Sequence, residues 1–430
     1  MVTALFILVL GINVLIFSYL LLNKPSAIIL TVITIIGTTI GIYIEAKFSI
    51  NIRVSKIYLT IMFALAFIKF GNVENFRIYW WEFLLVAFFV IRLGIDLLRP
   101  DFALRGMFGG IGDGIFLTAG YFFFKKAFMR DPEQIELVLK IFIYSSVCFA
   151  LIGIIEYIMK YDIFETEASR FIIEGHQRSN SIFTSPEYFG LLSAISIYVS
   201  IFLAIKKMIS KSSVYILLSI FFISLFVCLY RGIWLAFIAG GIIMYFAILV
   251  KSKYKIGLLI TAVSLVVIFG FSLYEISYSL SKESFYGKRI KDIDNIADRM
   301  IIYQELSHGI SNHYWVGNGT ATVAEYLKSL GLQRQFGSRR TTTVHPHNAI
   351  LAILYENGIF LLAIFLCWFA FLLLPYRSRD IYAYSTSSAI MVGFFFAGIG
   401  LAIIPTFNLP YFMMVVLAAY NMSFFQRNQT

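Results

Sequence analysis

Charge is scarce in this chain. Only 14% of its 430 residues are Asp, Glu, Lys or Arg, against 60% hydrophobic, and the mean hydropathy is +0.83. A soluble domain needs far more polar surface than this, so the composition argues for a polytopic α-helical membrane protein. Cysteine is nearly absent. Cys148, Cys228 and Cys367 all fall in apolar stretches without CxxC spacing, which suggests neither a disulfide framework nor a zinc site. The apolar stretches also lack the in/out alternation of a transmembrane barrel. No repeat, low-complexity tract or soluble domain interrupts them.

What is present is a series of apolar runs, each about 20 residues and so long enough to cross a bilayer. Candidate spans are residues 3–22, 26–45, 79–98, 107–125, 137–158, 186–205, 213–230, 232–250, 256–274, 349–374, 383–403 and 409–425. The first is read as a retained span, since no basic segment precedes it and no small-residue cleavage site follows. The fold class is therefore all-α: a single membrane domain over residues 1–430, with about twelve helices, or thirteen if 57–70 also crosses. Twelve is preferred. That short run is bracketed by Lys56 and Lys69, and counting it as a span strands Lys47, Arg53 and Lys56 on the face opposite the other basic clusters.

The net charge of +11 does not point to nucleic acid. The basic residues sit in short loops (Lys125, Lys126 and Arg130; Lys206, Lys207 and Lys211; Lys251, Lys253 and Lys255; Arg377 and Arg379), as the positive-inside rule requires, and such clusters also meet anionic lipid. The expected location is the cytoplasmic membrane. Two long loops then face outward, about 160–185 and 275–348. A loop of the second one's length inside a compact bundle is usually functional.

Four features gather on that outer face. Arg231 is the single charge in an apolar run from Val214 to Val250, at the only place where the run can turn back. A cation so close to hydrocarbon is expensive and usually functional, although an arginine can also snorkel to the headgroups. Arg178 lies in the first outer loop, and Arg299 in an amphipathic stretch of the second. Either alone reads equally as a solvated charge. The second loop ends in Val344-His345-Pro346-His347-Asn348. Proline is favoured at a first helical position, so His347 is predicted in the first turn of the following helix, where the dipole keeps its imidazole neutral. Gly358, about three turns on, is predicted on the same face, admitting a lipid chain or a second helix. The plain alternative is a capping histidine and a packing glycine. A metal is not indicated, because no third ligand is suitably spaced. Arginine forks fit phosphate oxygens, and a neutral histidine beside them is what acid–base transfer from a diphosphate requires.

Four ordered segments resemble the O-antigen ligase and O-antigen polymerase superfamily of bacterial membrane glycan transferases. They are Arg178 to Pro186, Arg231-Gly232-Ile233-Trp234-Leu235, Arg299 to Tyr303 followed by Gly317-Asn318-Gly319, and His347-Asn348 with Gly358. The likeness covers roughly residues 80–400. Tyr230 departs from the serine or threonine common before the arginine-glycine pair, and Leu361 from the usual residue after the glycine. The resemblance implies that the loop at 275–348 covers the active site and that His347 is the catalytic base. Arg231, Arg299, Arg178 and Asn348 are then substrate-binding. The donor is an undecaprenyl-diphosphate-linked glycan, and the acceptor a glycan, lipid or protein, with no cofactor and no metal. Within this class a polymerase is favoured over a ligase to lipid A core or protein. The rival class is a polysaccharide flippase or ion-coupled transporter, supported by Glu82, Asp96, Asp113 and Glu156 within spans. Asp96 lies one turn from Arg92, so a structural pair accounts for it equally.

Overall fold

The computed structural model describes residues 2–48, 54–71, 73, 76–98, 104–160, 172–173, 176–177, 179–183, 185–251, 294–320, 322–330, 333–336, 340–343, 348–373, 380–400, 412–413 and 415–421. Helices dominate: α1 (Val2–Asn23), α2 (Ala27–Phe48), α3 (Val54–Lys69), α4 (Phe83–Leu97), α5 (Leu104–Arg130), α6 (Gln134–Met159), α7 (Pro186–Ile205), α8 (Lys211–Val227) and α9 (Arg231–Lys251) come first. The long segment after α9 holds α10 (Asp294–Asn312) and α11 (Thr322–Ser329), followed by α12 (Ala349–Leu373) and α13 (Ile381–Gly400). Among the described residues, α6, α7, Ala349–Phe371 of α12 and Ile381–Gly398 of α13 are long and apolar enough to cross a membrane, and five further helical stretches are apolar but shorter. The protein is an integral membrane helical bundle. The candidate span 256–274 lies outside the described residues.

Two small antiparallel hairpins depart from a purely helical reading. Strands β1 (Ile172–Ile173) and β2 (His176–Gln177) pair in the first outer loop. In the second, β3 (Gln333–Phe336) pairs with β4 (Arg340–Thr343) in the register Gln333 to Thr343 and Phe336 to Arg340. The run of three threonines in β4 is β-branched, which suits an extended chain better than a helix.

Helix ends sort into two levels. At one end, Gln134 of α6 binds Ser26 and the amide of Ala27 where α2 begins, Lys69 of α3 donates to the Leu22 carbonyl at 3.0 Å, and Lys206 after α7 pairs with Asp380 before α13 at 2.6 Å. The carboxyl end of α5 and the amino end of α4 meet there too, through a fully buried Lys125–Glu82 pair at 2.5 Å to which Tyr121 also donates. The opposite level holds the carboxyl ends of α4, α6 and α8 and the starts of α7, α9 and α12.

The short run 57–70 belongs to the core. Phe63 of α3 is fully buried, edge-on to Phe123, Phe124 and Phe412 at 6.4, 5.8 and 6.4 Å. Gly120 of α5 leaves room for its ring, and Leu59 lies against Gly37 of α2. Sixteen residues make about 24 Å of helix, so α3 runs back through the depth that α2 traverses and ends level with α1. Helix α3 is thus part of the bundle core. Elsewhere α9 and α13 touch backbone to backbone: a Cβ at Gly240 would sit 2.4 Å from the Ala389 carbonyl oxygen. Close approach through small residues is how membrane helices associate without a hydrophobic driving force.

Candidate active site

The turn that carries Arg231 is built from both sides. Trp234 donates Nε1–H to the Leu225 carbonyl at 2.8 Å and stacks on Phe226, bracing the start of α9 against the end of α8. Leu229 takes the left-handed conformation at φ 50°, which reverses the chain before Arg231 opens α9. The Tyr230 ring, at the position where the family resemblance is imperfect, packs 3.0 Å from where a Gly232 Cβ would lie. Below the turn, Gly190 of α7 leaves space for Cys228 and Ile233.

The segment following Arg178 is fixed to this same turn. Ser179 donates its amide to the Val227 carbonyl at 3.3 Å, four residues before Arg231. Ser179, Asn180 and Ser181 are all fully buried. The Glu156 carboxylate of α6 holds them, accepting from the Ser181 amide at 2.8 Å and from the Ser179 hydroxyl at 3.3 Å. Gly153, one turn before, permits this approach, since a Cβ there would meet Phe189 at 2.3 Å and the Ser179 hydroxyl at 2.8 Å. Glu156 thus ties the segment that follows Arg178 to α6. Arg178 itself lies outside the described residues.

The second group forms around α12. Asn348 caps this helix, its Oδ1 accepting from the amides of Ile350 at 3.0 Å and Leu351 at 3.1 Å. Helix α12 therefore starts at Ala349, which corrects the expectation that Pro346 fills the first helical position with His347 in the first turn. An asparagine that can satisfy two orphan amides outcompetes a proline that supplies none. Because Oδ1 is committed to the cap, any role of Asn348 toward a substrate falls to Nδ2. His347 lies outside the described residues.

Helix α12 breaks at Gly358, with φ 72° and ψ 178°. The break corrects a second expectation. Gly358 receives neither a lipid nor another helix but a loop turn that carries its own glycines. Asn318 donates its amide to the Tyr355 carbonyl at 2.7 Å, Gly319 to the Glu356 carbonyl at 2.8 Å, and Ile359 donates to the Tyr314 carbonyl at 2.9 Å. The loop thereby satisfies peptide groups that the broken helix cannot satisfy itself. Gly317 and Gly319 have φ of 69° and 104°. Contact is so close that a Cβ at Gly317 would lie 2.4 Å from the Gly358 nitrogen, and one at Gly358 2.3 Å from the Trp315 carbonyl oxygen. These glycines face each other across the seam.

Helix α4 latches the seam from the side. Arg92 donates Nε–H to the Thr320 hydroxyl at 2.7 Å and reaches Glu356 at 3.5 Å. The same hydroxyl donates to Asp96, whose other oxygen accepts the Thr320 amide at 3.0 Å. Arg92 and Asp96 are both buried, and Thr320 bridges them. Spacing along α4 suggested the pairing but could not suggest the loop residue between them.

Above the seam, Ile302, Leu306 and Ile310 of α10 form a small core with Val323, Leu327 and Tyr355, into which Leu351 and Ala352 pack. Helical spacing puts position 299 one turn before Ile302 on this stripe, while Gly309 abuts Tyr355. Arg299 thus lies in α10, and its side chain is outside the described residues. Leu361, the other departure from the family pattern, is buried with Phe88, Ile353 and Leu362.

These elements form two groups at one level of the bundle, one around the Arg231 turn and one around the break in α12. Residues 214–366 match the O-antigen ligase family. The match runs from α8 through the break in α12, taking in Arg231, Arg299, His347, Asn348 and Gly358 but not Arg178. The resemblance read from the motifs is thus borne out over this stretch. No curated protein matches the chain significantly. Arg92, Asp96 and Glu156 lie outside the matched segment; the sequence presents Asp96 either as a partner of Arg92 or as a transport carboxylate, and Glu156 only as the latter.

Proposed function

We propose that the protein is a membrane glycosyltransferase that transfers glycan from an undecaprenyl-diphosphate-linked donor at the extracytoplasmic face. The observation that carries this reading is the seam: in the O-antigen ligase family segment, the outer loop is locked into a broken helix beside the Asn348-capped start that follows His347. The acceptor hydroxyl attacks the anomeric carbon. The bond from that carbon to the diphosphate oxygen breaks, its electron pair leaves with the lipid diphosphate, and His347 takes the hydroxyl proton, a role worth about 10²–10⁴-fold in rate. Arg231 and Arg299 stabilise charge developing on the leaving diphosphate, and Arg178 is assigned to the same task. The face is read from the basic clusters at 125–130, 206–211, 251–255 and 377–379, which outweigh Lys47, Arg53 and Lys56 on the site's side when α3 is counted as a crossing. With α3 counted as a crossing, thirteen helices place the amino terminus on the site's side.

Against a transporter stand the structural partners of three of its four carboxylates. Glu82 is paired with Lys125, Asp96 holds Thr320, and Glu156 holds Ser179 and Ser181. Asp113's side chain is outside the described residues. The acceptor is proposed to be a second lipid-linked unit, so that the product is a polymer. The family description favours ligation to lipid A core or protein as the second reading.

The test is transfer from a purified lipid-diphosphate donor in detergent with a chelator present. Chain lengthening on the donor alone identifies a polymerase, and transfer only on adding lipid A core identifies a ligase. In the His347→Ala variant transfer should vanish while donor binding persists. Full activity of that variant, or activity lost on chelation, refutes the mechanism.

A further inference from the structure

The turn that closes the seam presents its side chains outward. Tyr314, Trp315 and Val316 are 43%, 60% and 45% exposed, and Phe360, just past the break in α12, is 59% exposed. They form one surface. The Trp315 and Phe360 rings stack at 5.1 Å with their planes 30° apart, and Tyr314 meets Trp315 edge-on at 5.4 Å. The backbone beneath is held firmly, with the Tyr314 carbonyl accepting from Ile359 and the Gly317 amide donating to the His313 carbonyl at 2.7 Å. A rigid turn holding three consecutive large apolar side chains away from the protein is not a solvated loop tip, since loop tips favour small and polar residues.

Two observations say what covers it. First, Phe360 belongs to Ala349–Phe371, a helix long and apolar enough to cross a membrane, so Trp315 extends the lipid-facing surface of that helix. Second, the depth is right. From the Glu82–Lys125 pair at one level to Asp96 is fourteen residues of α4, about 21 Å of helix, against a hydrocarbon core of about 30 Å. Asp96 bonds Thr320, four residues beyond Val316. That puts the turn near the far boundary of the hydrocarbon, the zone where tryptophan and tyrosine gather in membrane proteins because one end of each ring system is apolar and the other polar.

We propose that Tyr314, Trp315 and Val316, together with Phe360, form a lipid-binding surface. It seats the outer loop in the headgroup–acyl boundary of the bilayer, and its occupant is phospholipid. The glycine seam and the α4 latch then fix the depth of the loop. The inference stands on packing and depth and does not depend on the glycan-transfer reading.

The experiment compares Trp315→Phe with the unchanged protein in proteoliposomes, the difference spectrum isolating Trp315 emission from that of the other tryptophans. The substitution keeps an aromatic ring on Phe360, so the fold is preserved. Phospholipid brominated high on its acyl chain should quench the difference spectrum several-fold more than phospholipid brominated near the chain end, and aqueous iodide should quench it little. Strong iodide quenching without bromolipid quenching overturns the proposal. So does protection from iodide that appears only on adding soluble oligosaccharide, which would make the surface a sugar platform, or only at high protein density, which would make it a contact between copies. As a second measurement, a spin label on Val316→Cys, with Cys148 and Cys367 changed to serine, should collide more often with oxygen than with a water-soluble nickel chelate. The reverse order refutes the membrane assignment.

Discussion

Replacing Gly358 with alanine tests the seam directly, because two costs compete and their sizes decide the outcome. At φ 72° and ψ 178° the backbone sits in a region that is essentially glycine-only, and holding another residue there costs about 1–3 kcal/mol. The added Cβ would also lie 2.3 Å from the Trp315 carbonyl oxygen and 2.6 Å from the Gly317 nitrogen, both backbone atoms that cannot rotate aside. Overpacking of that kind costs about 1–3 kcal/mol more. Keeping the seam closed thus costs about 2–6 kcal/mol in all. Opening it instead forfeits the three hydrogen bonds from Asn318, Gly319 and Ile359, each worth about 0.5–1.5 kcal/mol net, and lets α12 relax toward a continuous helix. Opening, at about 1.5–4.5 kcal/mol, is the cheaper at both ends of the ranges, so the loop turn should detach while the bundle stays folded. Hydrogen exchange in detergent should show the amides of Asn318, Gly319 and Ile359 losing at least tenfold in protection, with α6 and α7 unchanged. Gly94→Ala is the control: it lies in α4 with nothing within 4 Å of a Cβ, and should be neutral or slightly stabilising. Unaltered protection across the seam in Gly358→Ala would refute the reasoning.

Further expectations concern the latch, the arginine turn and the topology. Thr320→Val removes the hydroxyl between Arg92 and Asp96 and leaves both underpaired, so it should lower stability by about 1–3 kcal/mol and speed protease cleavage of the second outer loop; unchanged cleavage means the latch does not hold that loop. Arg231→Lys keeps the charge but loses the planar fork, and transfer from a lipid-diphosphate donor should fall at least tenfold with normal membrane insertion. Near-normal transfer would make Arg231 a snorkelling anchor. In a cysteine-free background, Ser311→Cys should react with an impermeant thiol reagent from outside and Ser252→Cys should not. An epitope fused at the amino terminus should be reachable from outside if α3 crosses; protection of that epitope restores the twelve-helix count.

Much of the candidate site can be read from residue order, because the chemistry proposed for it requires particular residue types. An arginine in a tight turn between apolar runs, an asparagine before a long helix and glycines at fixed distances mark the two groups that the fold assembles. What the sequence hides is what depends on a distant partner. Gly358 inside an apolar run looks like a packing contact, since its backbone conformation is set by a turn some forty positions earlier. Arg92 and Asp96 look like an ordinary pair one turn apart until Thr320, more than 220 positions away, comes between them. The run at 57–70 is short and flanked by lysines, which argues for the interface by composition, yet an aromatic pocket from α5 buries Phe63 completely. Asn348 outranks Pro346 at the start of α12 because capping is decided by hydrogen-bond geometry, which a residue list does not contain.

The seam also sets an order of assembly. Its two halves leave the ribosome at different times: Tyr314 to Thr320 first, and Tyr355 to Ile359 only after the rest of the loop has followed. Until α12 is threaded and inserted, the loop turn has no partner for its Asn318 and Gly319 amides, and its aromatic side chains have only the membrane surface to rest on. The seam therefore cannot close during synthesis of the first nine helices. It closes when the chain beyond the loop arrives, so truncation before Gly358 leaves a bundle without the seam.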